Sequence, residues 1–248
     1  MPVSAALFLD FDGTLVALAE RPQDVHVSDW VVPALKRLHH GLQGALAVVS
    51  GRPLGVIDAY LHPLVLAAAG AHGVERRDST GLIERHPADP PADVVLCAAE
   101  LAARHTGLIL EMKPSGFALH FRQHPDLGEL CREALADAVA DTPGVALHWE
   151  LLHGHCVYEL KQRAVSKGTA VQAFLADRPF AGRVPVFIGD DVTDEDGIWA
   201  VQAAGGFGIR VGPGASQAHY RLADTDAVAT WLQAAARATV AHAEERNP

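Results

Sequence analysis

Residues 5–14 read Ala-Ala-Leu-Phe-Leu-Asp-Phe-Asp-Gly-Thr, five apolar side chains that run without a break into Asp10, Asp12 and a glycine. A run this short, closed by turn chemistry, suits a strand buried on both faces of a parallel sheet. The same signature recurs outward from it. Residues 45–49 end at Ser50-Gly51-Arg52, residues 64–69 at Gly70-Ala71-His72-Gly73, residues 184–188 at Gly189-Asp190-Asp191, and residues 206–211 at Gly212-Pro213-Gly214. Helical patterns over 30–39, 54–61, 168–176 and 198–204 lie between these runs. Strands alternating with helices predict a doubly wound, Rossmann-like α/β sheet.

The middle of the chain breaks that rhythm. After Pro87-Ala88-Asp89-Pro90-Pro91 comes a helical segment, 93–105, then alternating runs over 108–112 and 117–122 joined by Lys113-Pro114-Ser115-Gly116, which reads as a hairpin turn. A second helix over 125–141 precedes strand patterns at 145–150 and 156–160. The spacing predicts an inserted α+β cap domain, αββαββ, over 88–162, between core segments 1–87 and 163–248. A terminal helix is expected over 227–235.

Composition narrows the function. The 248 residues carry 20 Lys+Arg against 30 Asp+Glu, a net charge of −10. Nucleic-acid binding needs a basic stripe, so that class is excluded. No apolar run is long enough for a bilayer, and no basic segment precedes the first apolar run, so neither membrane insertion nor a secretory signal is expected. Three scattered cysteines make no disulfide framework. A cytoplasmic monomer is expected.

The polar groups closing the strands carry the chemistry: Asp10 and Asp12, Ser50, Lys167 at a helix start, and the Asp190-Asp191-Val192-Thr193-Asp194 segment. In open α/β sheets such groups converge at the carboxyl ends of the strands. Several carboxylates packed together call for a cation, and an all-oxygen set suits Mg²⁺. A carboxylate can also attack phosphorus, splitting hydrolysis into two displacements, while Lys167 and Ser50 steady the phosphoryl oxygens.

These motifs, in this order, resemble the haloacid dehalogenase superfamily. Val49-Ser50-Gly51-Arg52, Gly70 to Glu75, His120-Phe121-Arg122, Glu159-Leu160, Ser166-Lys167-Gly168 and Gly189 to Glu195 resemble its trehalose-6-phosphate phosphatases, nearly end to end. The resemblance implies a magnesium-dependent phosphatase acting on trehalose 6-phosphate through an aspartyl-phosphate. Asp10 is then the nucleophile and Asp12 the general acid/base. Asp10, the main-chain carbonyl of Asp12 and Asp190 hold Mg²⁺, with Asp191 and Asp194 orienting its waters. Substrate contacts fall to Gly51, Arg52, Glu111, Lys113, Arg122, His155 and Glu159. His155 departs from the family, standing four residues before Glu159 where Lys or Arg is expected. Sucrose phosphate or a mannosyl-phosphoglycerate are alternative substrates, and a non-catalytic sugar-phosphate sensor is the alternative outside enzymes.

Overall fold

The computed structural model describes residues 4–19, 24–85, 89–113, 116–154 and 156–244, with side chains through residue 238. Two units emerge, Met1–Arg85 with Ser166–Pro248, and His86–Val165. The seams fall at 85/86 and 165/166, against 87/88 and 162/163 in the sequence reading.

The first unit begins with β1 (Ala5–Leu9), buried at every position. It continues through α1 (Val31–Gly41), β2 (Leu46–Val49), α2 (Leu54–Leu61), β3 (Ala67–Gly70), β4 (Glu75–Arg77) and β5 (Ile83–Arg85). The second unit holds α3 (Ala92–Arg104), β6 (Ile109–Lys113), β7 (Gly116–His120), α4 (Gly128–Asp141), α5 (Val145–His148), β8 (Trp149–Gly154) and β9 (Val157–Gln162). The chain then returns to the first unit as α6 (Lys167–Ala176), β10 (Val184–Gly189), α7 (Glu195–Ala203), β11 (Phe207–Val211), β12 (Tyr220–Leu222) and α8 (Thr225–Glu244).

The first unit's sheet has the order β12-β11-β10-β1-β2-β3-β4-β5. From β12 to β3 all neighbours are parallel; β4 and β5 extend the sheet antiparallel. Strand order runs outward in both directions from the β1–β10 pair, so their carboxyl ends form a topological switch point, where such sheets bind ligands. Helix α1 turns Val31, Ala34, Leu35 and Leu38 inward, the i, i+3, i+4, i+7 stripe of an amphipathic helix. Phe8 of β1 packs against Phe174 and Phe180, with ring centroids 6.0 and 5.3 Å away. Helix α6 opens on a capping box, in which Ser166 Oγ accepts from Thr169 N and Thr169 Oγ1 accepts from Ser166 N. That box sets Lys167 at the first helical position.

The second unit is a four-stranded antiparallel sheet, β6-β7-β9-β8, with a separate core. Phe117, Leu119, Tyr158 and Leu160 pack with Val94 and Ala98 of α3 and Cys131 and Leu135 of α4. The opposite face carries the alternate residues. Register aligns Glu111, Ala118, Glu159 and Leu152 in one row, and Lys113, Gly116, Lys161 and Glu150 in the next.

The sequence expectation fails at 145–150. Gly144 enters a left-handed conformation (φ 79°), one helical turn follows as α5, and the strand starts only at Trp149. Strands β4, β5 and β12 were also not foreseen. Glu75-Arg76-Arg77, Ile83-Glu84-Arg85 and Tyr220-Arg221-Leu222 lie toward the sheet's edges, where polar residues replace the apolar run used to find the central strands. Among the described residues no helix is long and apolar enough to cross a membrane.

Candidate active site

Asp10 N–H donates to Ile188 O at 2.9 Å, continuing the β1–β10 pairing one residue past β1. Its side chain therefore leaves the sheet at the switch point. Lys167 Nζ, from the start of α6, lies 2.6 Å from Asp10 Oδ1 and 2.6 Å from Asp194 Oδ1. All three side chains are sealed from solvent, at 3%, 4% and 0% exposure for Lys167, Asp10 and Asp194. The other oxygen of Asp194 accepts from the backbone N–H of Asp190 (3.0 Å) and of Asp191 (2.9 Å). Asp194 is thus the post on which both Lys167 and the 190–191 loop are hung. Gly189 makes room for it, since a Cβ there would meet Asp194 Cγ at 2.3 Å.

Charge burial sets the electrostatics. Burial drives the Asp10 carboxyl well above its ordinary range; Lys167 opposes the rise and Asp194 adds to it. Burial works against the Lys167 charge, but Asp10 and Asp194 more than offset it and hold the ammonium above its usual pKa. Asp190 is pushed up to about 6 by burial and by the charges of Asp194 and Asp191. Oxygens of Asp10, Asp190 and Asp194 come within 4.8 Å of one another. Asp190 Oδ1 is buried with no hydrogen-bond partner among the described residues. Gly13, at φ +73°, admits that carboxylate, since a Cβ there would fall 2.1 Å from Asp190 Oδ2. An orphaned oxygen beside a second carboxylate fits a divalent cation. Asp10, Asp190 and Asp194 are the side chains close enough together to hold it, Asp194 being also bound by Lys167 and two amides.

Asp12 lies two residues beyond Asp10 and is forked by Arg52, Nε to Oδ2 at 2.6 Å and Nη2 to Oδ1 at 2.7 Å. Ser50 is buried just past β2, and its Oγ accepts the Arg52 N–H at 3.1 Å. Gly51 lines a cavity of about 590 Å³ together with Asp12, Arg52, His72, Leu18 and Val56. Asp191 is exposed and caps the short turn before α7, with Thr193 Oγ1 donating to its Oδ2 at 3.3 Å. Glu75 accepts the Leu54 N–H at the start of α2 and pairs with Arg85. It therefore serves the fold.

In the second unit, Glu111, Lys113 and Glu159 share the face of the sheet turned away from its helices. Lys113 Nζ pairs with Glu159 Oε2 at 2.9 Å, and Glu111 Oε2 meets His120 Nε2 at 2.9 Å. Arg122 is exposed in the turn after β7, beyond that face's strands. His155 lies outside the described residues. Sequence reasoning gave no role to His120 or Lys161 on this face. The signal was the parity of β7 and β9, which sets both residues in the alternation shared by Gly116 and Glu159.

A doubly wound sheet with a buried acid cluster at its switch point and an α+β insertion defines a haloacid dehalogenase-like hydrolase. A haloacid dehalogenase-like hydrolase from Bacteroides thetaiotaomicron superposes with TM-score 0.66 at 17% identity, over 93% of this chain and 99% of that one. The chain belongs to the trehalose-phosphatase family, whose sequence model matches residues 8–226. The trehalose-6-phosphate phosphatase of Escherichia coli (strain K12) is 39% identical over 230 residues, 92% of this chain and 85% of the relative. A solved structure of Aspergillus fumigatus trehalose-6-phosphate phosphatase shares the fold, with TM-score 0.77 at 24% identity over 95% of this chain and 93% of that one.

Proposed function

We propose that this chain hydrolyses trehalose 6-phosphate to trehalose and inorganic phosphate. The observation that carries the reading is the sealed Lys167–Asp10 pair at the switch point, with Asp194 behind it and the orphaned Asp190 oxygen beside it. Lys167 holds one oxygen of Asp10, and the other attacks phosphorus. The bond from phosphorus to the sugar oxygen breaks as Asp12 gives that oxygen a proton, and the sugar leaves as an alcohol. Water then attacks the phosphoryl group on Asp10, passes a proton to Asp12 and releases phosphate, restoring the Asp10 carboxylate and the Asp12 acid. Ser50 and the Gly51 N–H hold phosphoryl oxygens, and Lys167 neutralises their charge. Asp10, Asp190 and the main-chain carbonyl of Asp12 would hold Mg²⁺, which would supply the positive charge that lets carboxylate and phosphate approach.

Sugar recognition falls to Glu111, Lys113 and Glu159, with Arg122 and His155 as further contacts. Their charges of both signs suit a disaccharide's hydroxyls, which accept and donate. Three free thiols, Cys97, Cys131 and Cys156, support a cytoplasmic setting. The test is phosphate release from trehalose 6-phosphate, sucrose phosphate and a mannosyl-phosphoglycerate, with Mg²⁺ and after chelation. Trehalose 6-phosphate should lead by kcat/KM and only with the metal. Preference for another ester, or release that survives chelation, contradicts the proposal.

A further inference from the structure

The two carboxylates of the Asp10-Phe11-Asp12 segment are held in opposite ways. Asp10 is locked to Lys167 out of solvent, whereas Asp12 is 31% exposed and its partner Arg52 14%. A single guanidinium covers both Asp12 oxygens, at 2.6 and 2.7 Å. Such a forked, charge-assisted pair fixes the plane of the carboxylate. A proton carried on either oxygen for the leaving group competes with the guanidinium and weakens the fork. Asp12 and Arg52 also line the same cavity of about 590 Å³, so a molecule entering it reaches both members of the pair. Arg52 is seated independently of Asp12. Its Cζ lies 5.8 Å from the Phe11 ring centroid and 5.3 Å from that of Tyr60, and its backbone N–H is bound to Ser50 Oγ. The guanidinium can therefore exchange acceptors without leaving the cavity wall.

We propose that Arg52 is a latch on Asp12 and, through it, a specificity-determining residue. A leaving group that offers Arg52 a replacement oxygen draws the guanidinium off, and Asp12, 31% exposed, then takes up a proton from solvent and passes it to the leaving oxygen. A leaving group with no such oxygen finds Asp12 still forked. This inference rests on the reading of Asp12 as the general acid. It gives the core unit a part in selecting the sugar that the phosphoryl-binding residues cannot play, because they meet only what every substrate shares.

The experiment compares kcat/KM of the unaltered chain, Arg52→Met and Arg52→Lys, with Mg²⁺, on three esters. Trehalose 6-phosphate offers sugar oxygens. n-Butyl phosphate needs a proton on its leaving alcohol but offers no further acceptor. p-Nitrophenyl phosphate needs little protonation and serves as the divisor for the other two. In Arg52→Met the trehalose 6-phosphate ratio should fall by roughly tenfold or more, and the butyl phosphate ratio should rise by roughly threefold or more, as induced-fit discrimination is lost. Arg52→Lys keeps the charge but cannot fork two oxygens, so it should move the ratios in the same two directions. Ratios that stay put or move together overturn the latch while leaving the phosphatase reading intact. Failure of the unaltered chain to cleave trehalose 6-phosphate defeats that reading and the latch with it.

Discussion

Lys167 Nζ stands 2.6 Å from Asp10 Oδ1 across 157 residues of sequence, and neither side chain reaches solvent. The same ammonium holds Asp194, so removing it leaves two buried carboxylates facing each other unpaired. Breaking a buried ion pair from one side costs about 3–5 kcal/mol. Lys167→Met should therefore lower the stability by that order in urea unfolding at an unchanged m-value, and turnover should vanish with it. A loss below about 1 kcal/mol, the range of exposed pairs, would show that the triad is not a structural unit.

The Asp190 carboxyl, pushed up to about 6 by burial and by Asp194 and Asp191, ties the metal to pH. Its folded pKa lies above the ordinary 3.8, so the metal-free fold binds the proton more tightly than the unfolded chain does. That contribution to stability is fully present below the unfolded value and is lost as pH rises through the folded one. Mg²⁺ needs the ionised form, so the rise in Tm it produces should be larger at about pH 7.5 than at about pH 5. Asp190→Asn should abolish the Mg²⁺-dependent rise at both. Equal shifts at the two pH values, or a shift that survives in Asp190→Asn, would contradict the assignment.

The Lys113–Glu159 pair sits 32% exposed on both sides, where ion pairs add about 0–1 kcal/mol to stability. Lys113→Ala, Glu159→Ala and Glu111→Ala should accordingly leave Tm nearly unmoved. Each should cut kcat/KM for trehalose 6-phosphate by roughly tenfold or more, about 1.4 kcal/mol of transition-state stabilisation. p-Nitrophenyl phosphate, lacking the sugar, should lose far less. Parallel losses on both substrates would reassign these residues to support of the fold.

Sequence made the parallel core legible because buried strands such as β1 and β2 are uninterrupted apolar runs that stop at their functional ends. It also brought Asp10, Lys167 and Asp190 together, since strand ends and a helix start must converge at a switch point. The partner of Asp12 was hidden. Nothing in Ser50-Gly51-Arg52 says whether the guanidinium faces a ligand or a carboxylate 40 positions earlier. The partners of Asp194 were hidden for a related reason. An acidic first turn gives no hint that one oxygen meets Lys167 and the other two amides. Alternation located Glu111 and Glu159 on strands but left Lys113 in the turn, and only the register across β6, β7 and β9 shows that the three share a face. At α5, Val145-Ala146-Leu147 fits a strand or a helical turn equally well, and the left-handed Gly144 decides between them.

In the proposed reaction the phosphoryl group passes through Asp10. The most direct measurement is to quench the enzyme in acid during turnover of trehalose 6-phosphate with Mg²⁺, reduce the acyl phosphate with borohydride, and map the altered residue by mass spectrometry. Asp10 should be recovered as homoserine in the unaltered chain. The nearly isosteric Asp10→Asn should show neither this mark nor turnover, with its circular dichroism unchanged. A mark on any other residue, or more than a few per cent of activity in folded Asp10→Asn, would contradict the claim.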